Sequence, residues 1–315
     1  MATERILSIG GCWIQPRIKA MSHNQRMIRR TLLFIAIASL MLIGCGDAEK
    51  EIYSKNPPNP KKVIAGISLS PGTTEIWCAL SPAAGLRGRT SSCDFPESVV
   101  TKVPVVADVK PNYEMIQGIR PDLIVYDADL YSDADVAKLK ETKADLLALK
   151  ADTIKDLEAF YYDLGRLLGC ETNASSKVDK IEDEINIVRS NKPKAGLKVA
   201  AIAGDPSTGY LVAGTKSFLA DVIRTVGGEP VGADSRIWTQ ANLEALIAMN
   251  PDVIFVAADK SGNAADKVLG DARLSSINAI KKKQVFGVNS SVLMRKGSRV
   301  PEMLKAFCVT LLKAS

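Results

Sequence analysis

The chain has 315 residues, 46% of them hydrophobic and 24% charged, an ordinary globular composition that excludes disordered, collagenous and disulfide-scaffold classes. Its 41 basic and 35 acidic residues leave a formal net charge of +6, but Arg5, Arg17, Lys19, Arg26, Arg29 and Arg30 stand against Glu4 alone in the first 44 residues. The remainder is close to neutral and carries no electrostatic footprint for nucleic acid. The only histidine, His23, lies in the same stretch, so the rest has no imidazole for a metal site or a histidine-dependent triad.

Met27-Ile28-Arg29-Arg30 precedes an uncharged run, Thr31 to Gly44, which is shorter than the roughly 20 residues needed to span a bilayer. A basic segment, an apolar segment of this length and small residues at its end read as a secretory signal peptide. Leu42-Ile43-Gly44-Cys45 resembles the lipobox of bacterial lipoproteins, which implies that residues 1–44 are removed and that the Cys45 thiol carries lipid. Residues 1–26 fit no signal peptide, which leaves a start at Met21 or Met27 open. Acyl chains on Cys45 would tether a water-soluble fold to a membrane on its extracytoplasmic side. Residues 45–61, with Pro57, Pro58 and Pro60, read as an extended tether.

Beyond the tether, strands alternate with helices. Val63 to Leu69 reads as a strand feeding Ser70-Pro71-Gly72-Thr73-Thr74-Glu75 and a helix, with Glu75 closing a capping box. Asn112-Tyr113-Glu114 is followed by Pro121-Asp122-Leu123-Ile124-Val125. The same arrangement returns 130 residues later as Asn242-Leu243-Glu244 and Pro251-Asp252-Val253-Ile254-Phe255. In each copy Asn caps a short helix, Pro ends it, and a short apolar run reads as a strand buried on both faces. Between the copies, Asp152 to Leu168 and Thr172 to Asn191 read as helices. The second carries Val178, Ile181, Ile185 and Val188 at spacings of three and four. Leu197 to Ala203 opens the second half as a strand feeding the loop Gly204 to Gly209. The fold class expected is α/β, with two Rossmann-like lobes built on parallel sheets and joined by one long helix. The expected boundaries are 62–170, 171–193 and 194–315.

The order of Ser-Pro-x-x-Thr-Glu at residues 70–75, Cys93-Asp94-Phe95-Pro96, the two Glu-x6-Pro-Asp copies and Ala213-Gly214-x2-Ser217-Phe218-Leu219 resembles the substrate-binding proteins of ABC importers for cobalamin, siderophore-bound iron and haem. The resemblance covers about residues 62–312, and the stretch Gly88 to Pro96 looks most like the cobalamin-binding branch. It implies a monomeric, non-enzymatic protein without a cofactor or resident metal, which delivers a corrinoid to a permease dimer. A ferric siderophore or haem is the alternative cargo.

The resemblance implies ligand contacts from Ser70, Pro71, Gly72 and Thr73, whose loop links a strand end to a helix N-terminus. It also implies contacts from Cys93, Asp94 and Phe95, the last with a ring able to pack on a flat corrin. Trp238 at a loop before the second repeat, Tyr210 in the first loop of the second lobe and Arg295 complete the expected set. Arg299 lies four residues beyond Arg295 and shares its loop. Glu114 and Glu244 suit any helix N-terminus, by about 0.3 to 1 kcal/mol, but the family docks one glutamate per lobe on its permease. A Cys78–Cys93 disulfide is left open by the sequence. An extracellular α/β hydrolase is disfavoured, since neither a Gly-x-Ser-x-Gly elbow nor a histidine base occurs after residue 44.

Overall fold

Alternation along the central strands decides how the layers stack. In the computed structural model, which describes residues 65–81, 85–191, 193, 196–259 and 262–315, Leu123 and Val125 of strand β4 (Leu123–Asp127) point into one apolar cluster, and Ile124 and Tyr126 into another. The signal region 1–44, Cys45 and the tether 45–61 lie outside the described residues. Strand β6 (Lys198–Asp205) and strand β10 (Val253–Ala258) divide their side chains in the same way. Val199, Ala201, Val253 and Phe255 face one cluster, and Ala200, Ile202, Ile254 and Val256 the other. Burial on both faces is the reason these runs are uniformly apolar rather than alternating.

The first lobe is wholly parallel. Strands β1 (Gly66–Ser68), β2 (Leu86–Thr90), β3 (Val105–Ala107), β4 and β5 (Asp145–Leu149) lie in the order β3-β2-β1-β4-β5. Helices α1 (Pro71–Leu80), α2 (Glu97–Lys102), α3 (Tyr113–Ile119) and α4 (Asp133–Lys140) connect them. The order reverses direction between β1 and β4, and such a switch point opens a crevice beyond the strands' carboxyl ends. Gly66 is fixed by packing, since a Cβ there would come within 2.1 Å of the Trp77 ring.

The second lobe has a parallel core of β6, β10, β11 (Val285–Asn289) and the short β8 (Glu229–Pro230). Two antiparallel strands extend it, β7 (Gly209–Ala213) and β9 (Trp238–Ala241). Gly204 to Gly209 is therefore a hairpin turn, not a strand-to-helix loop. Asp205 Oδ1 accepts from Ser207 N at 2.9 Å and Thr208 N at 3.1 Å, and Gly204 and Gly209 take φ of 97° and 82°.

The repeat is structural as well as sequential. Asn112 and Asn242 cap α3 and α8 (Leu243–Met249), accepting from Met115 N at 3.1 Å and Ala245 N at 2.8 Å. Asp122 accepts from Ala65 N at 2.9 Å, and Asp252 from Lys198 N at 3.1 Å, so each aspartate fastens the start of its lobe's first strand.

Helix α5 (Ile154–Leu168) opens on a capping box between Thr153 and Asp156, and α6 (Glu171–Ser190) runs back beside it. At 1.5 Å per residue α6 is roughly 30 Å long. Its buried stripe of Ala174, Val178, Ile181, Ile185 and Val188 belongs to one apolar cluster that also holds Trp77, Val125, Phe255 and Phe307. Phe307 comes from the last helix, α12 (Val300–Ala314), and stacks on Phe255 with centroids 3.9 Å apart. The two lobes thus share a core along the connecting helix.

Candidate functional site

Two backbone ends meet at the switch point of the first lobe: the exit of β1 into α1 and the exit of β4. Ser70 caps α1, its Oγ accepting from Thr73 N at 3.2 Å, and the Tyr131 hydroxyl donates to Leu69 O at 2.6 Å. Beneath this turn Ser68, Ser70, Thr73 and Thr74 form a chain of hydroxyl contacts of 2.6 to 2.8 Å. The chain ends at the Cys93 thiol, 3.2 Å from the Thr74 and Thr90 hydroxyls. Thr73 and Cys93 are buried within that cluster, so their side chains build the loop rather than line the cleft, contrary to the expectation from sequence. Cys78, Cys93, Cys170 and Cys308 stand as thiols, so the Cys78–Cys93 disulfide is not formed.

Opposite this turn lies the segment after β11. Helix α11 (Ser290–Leu293) leads into Met294 to Arg299 and then into α12 (Val300–Ala314). The Lys296 carbonyl sits 2.6 Å from where a Cβ on Gly72 would stand, so glycine lets the two loops close on each other. Between them run two cavities of about 280 and 420 Å³ that share Asp127, Leu130, Met294, Arg295 and Lys296 and so form one trough. Ser70, Pro71, Gly72 and Ser92 line one end, and Phe218, Ile237 and Trp238 the other.

The structure brings Ser70, Pro71, Gly72, Trp238 and Arg295 together on this trough. Trp238 opens strand β9 and is half-buried, while Leu130, Ile237 and Met294 are 59%, 51% and 43% exposed. Asp94 joins the rim from the side, bonded to Arg295 and to Ser291 Oγ. Desolvation works against its charge, yet those two hydrogen bonds and the Arg295 and Arg299 guanidiniums hold its carboxyl below the usual range.

Phe95 is not on the trough. It lines a separate hollow of about 320 Å³ with Pro96, Tyr161 and Lys177, and the Arg299 guanidinium lies 5.0 Å over its ring. Tyr210 is also displaced from its expected place. As a residue of β7 it is 2% exposed, packed among Ile202, Val212 and Ile254, with its hydroxyl donating to Asp271 at 3.0 Å. Burial and the Asp271 carboxylate push its phenol up, which keeps it a neutral core residue.

Glu75 does not return a capping bond, because it stands five residues after the cap rather than three. It is buried and holds Arg299 at 2.6 Å and Arg295 at 3.4 Å. The sequence reading missed Asp127, Asp129, Leu130, Met294 and Lys296. Lys296 donates to Asp127 at 2.9 Å and Asp129 at 2.7 Å. Burial pulls the lysine down, but the two carboxylates outweigh it and keep the amine charged. Asp127 ends a buried strand next to the topological switch, a position that could have marked it in advance.

Residues 67–292 match the periplasmic binding protein family. The chain belongs to that family. The periplasmic binding protein described here is similar to the uncharacterized ABC transporter substrate-binding lipoprotein YvrC of Bacillus subtilis (strain 168), with 25% identity over 295 residues, 85% of this chain and 92% of the relative. Its fold is shared with the vitamin B12 binding protein BtuF of Vibrio cholerae, at a TM-score of 0.70 and 21% identity over 82% of this chain and 99% of the other. It is shared too with the apo periplasmic heme-binding protein RhuT from Roseiflexus sp. RS-1, at 0.69 and 20% identity over 79% and 98%. This periplasmic binding protein is thus of the ABC transporter substrate-binding class and is not an enzyme.

Proposed function

We propose that the protein captures a corrinoid in the trough between its lobes and hands it to the permease dimer of an ABC importer. The observation that carries this reading is the apolar wall made by Trp238 with the exposed Leu130, Ile237 and Met294. A flat macrocycle offers that wall a broad face, and an indole contributes about 0.5 to 1.5 kcal/mol beyond area burial when it stacks. The polar end of the trough, Ser70, Ser92 and Ser291, suits amide groups at a ring edge. The shared fold of the vitamin B12 binding protein supports the same cargo. Haem is the second reading, favoured by Met294, whose thioether lines both cavities and is a soft axial ligand.

Delivery is assigned to Glu114 and Glu244, both exposed in the first turns of the matching helices α3 and α8. Lipidation at Cys45, supported by the lipoprotein relative, would tether the protein at the extracytoplasmic face of a membrane. The functional divisions of the mature chain are a tether at 45–61, lobes at 62–170 and 194–315, and the bridge at 171–193.

Calorimetry on the mature chain with cyanocobalamin, haemin and ferric citrate tests the cargo. Cyanocobalamin is expected to bind below micromolar, at about −8 kcal/mol or better. Trp238→Ala should weaken it by about 1 to 3 kcal/mol. Heat only with haemin or ferric citrate would replace the corrinoid reading.

A further inference from the structure

The charges around the trough are segregated by lobe. The second lobe contributes the cations Arg236, Arg295, Lys296 and Arg299, and the first half contributes the carboxylates Glu75, Asp94, Asp127, Asp129 and Asp152. Each cation is already paired across the lobes. Arg236 meets Asp152 at 2.6 Å, Arg299 meets Glu75 at 2.6 Å, and Arg295 bridges Glu75 and Asp94. Lys296, like Arg295, holds two carboxylates, but both of its partners, at 2.9 and 2.7 Å, come from the exit of β4 on the shared boundary of both cavities.

A lysine facing a ligand site is ordinarily free to receive a ligand carboxylate or phosphate. Here a ligand anion that reaches for Lys296 must displace Asp127 or Asp129, and the displaced carboxylate stays close enough to repel it. Burial pushes the Asp127 carboxyl up against the pull of the Lys296 amine, so the carboxylate that opposes anionic cargo here is chiefly the more exposed Asp129. An uncharged, amide-bearing ligand meets no such penalty, since it needs no counter-ion from the trough. The Lys296 side chain is 12% exposed, which makes the pairing strong enough to matter for selection, because partly buried charges are little screened by salt.

We propose that Asp127 and Asp129 are specificity-determining residues that occupy Lys296 as internal counter-ions and so select against cargo carrying carboxylates. This inference rests on the trough being the ligand site. It deepens that reading by naming the charge class the site takes.

The test uses haemin, whose two propionates make it an anionic probe, on the mature chain and on Asp129→Asn. Asp129 is only partly buried, at 26% exposure, and asparagine keeps its shape, so the fold is expected to hold and a melting curve checks it. Haemin is expected to bind about tenfold tighter to Asp129→Asn than to its parent, the scale of one charge-assisted hydrogen bond gained. The gain should vanish in the double variant Asp129→Asn/Lys296→Met. Asp127→Asn gives a second arm that frees the same amine by the other route. Unchanged or weaker haemin binding in both asparagine variants would overturn the inference, and so would a gain that survives loss of Lys296. Because each variant is compared with its own parent on one probe, failure of cyanocobalamin to bind would overturn the corrinoid reading without touching this ratio.

Discussion

At the scale of single residues, burial changes what a charge does. Glu75 reads in the sequence as a helix-capping residue, yet it is buried beside the Phe95 hollow and gripped by Arg299 and Arg295 from the far end of the chain. That role could not be read from spacing, because its partners are more than 200 residues away. Removing one member of a buried ion pair leaves the others uncompensated and costs about 3 to 5 kcal/mol. Glu75→Ala should therefore lower the melting temperature by roughly 10 °C, with Glu75→Gln in between. A calorimetric melt within about 2 °C of the parent would show that the triad contributes little. Trp238 and Arg295 were legible because the family resemblance pointed to their loops. Phe95 and Tyr210 were misplaced because an aromatic's type does not tell which side of a turn or strand it faces.

Among elements, hydrophobic period was the reliable signal. The stripe Val178, Ile181, Ile185 and Val188 is the buried face of α6, and the runs after Pro121 and Pro251 are the two-sided strands β4 and β10. The hairpin of β7 and its pairing with β9 were not legible, since Gly-Asp-Pro-Ser-Thr-Gly serves a loop before a helix as readily as a turn between strands. The α5–α6 pair also holds a buried acid. Glu158 of α5 is 5% exposed with Oε1 lacking a hydrogen-bond partner among the described residues, while Lys155 bridges it to Glu182 of α6. Burial raises the Glu158 carboxyl above its usual range. A raised carboxyl favours the fold below the unfolded value, and the benefit is lost as pH climbs through the folded value. Glu158→Gln, which copies the protonated acid, should then be more stable than the parent at pH 8 by about 1 kcal/mol, the low end of the cost of an unpaired buried polar group. The difference should shrink as pH falls to 4. Equal denaturant midpoints at pH 8 would show that Glu158 is not a burden on the helix pair.

On the scale of the whole molecule, the 130-residue offset was the most informative feature of the sequence. It marked Asn112 and Asn242 as caps and Glu114 and Glu244 as equivalent acids, whereas the fastening of each first strand by Asp122 and Asp252 was visible only in the fold. The cross-lobe charge pairing was not legible, because it depends on how the loop after β11 closes over α1. Equivalent acids on matching helices suit a permease dimer of near two-fold symmetry. The double variant Glu114→Ala/Glu244→Ala should keep its melting temperature and ligand affinity while uptake into proteoliposomes falls at least tenfold, the scale of about 2 kcal/mol or more lost at a charged interface. Normal uptake, or loss of ligand binding in its place, would remove the docking role. Whether a corrin ring sits on Trp238 between the lobes is decided by a crystal structure of the mature chain grown with cyanocobalamin. Corrin density is expected against Trp238, Leu130 and Met294, with the Lys296–Asp127–Asp129 pairing intact. Density in the hollow beside Phe95, or an empty trough at saturating ligand, would rule that seat out.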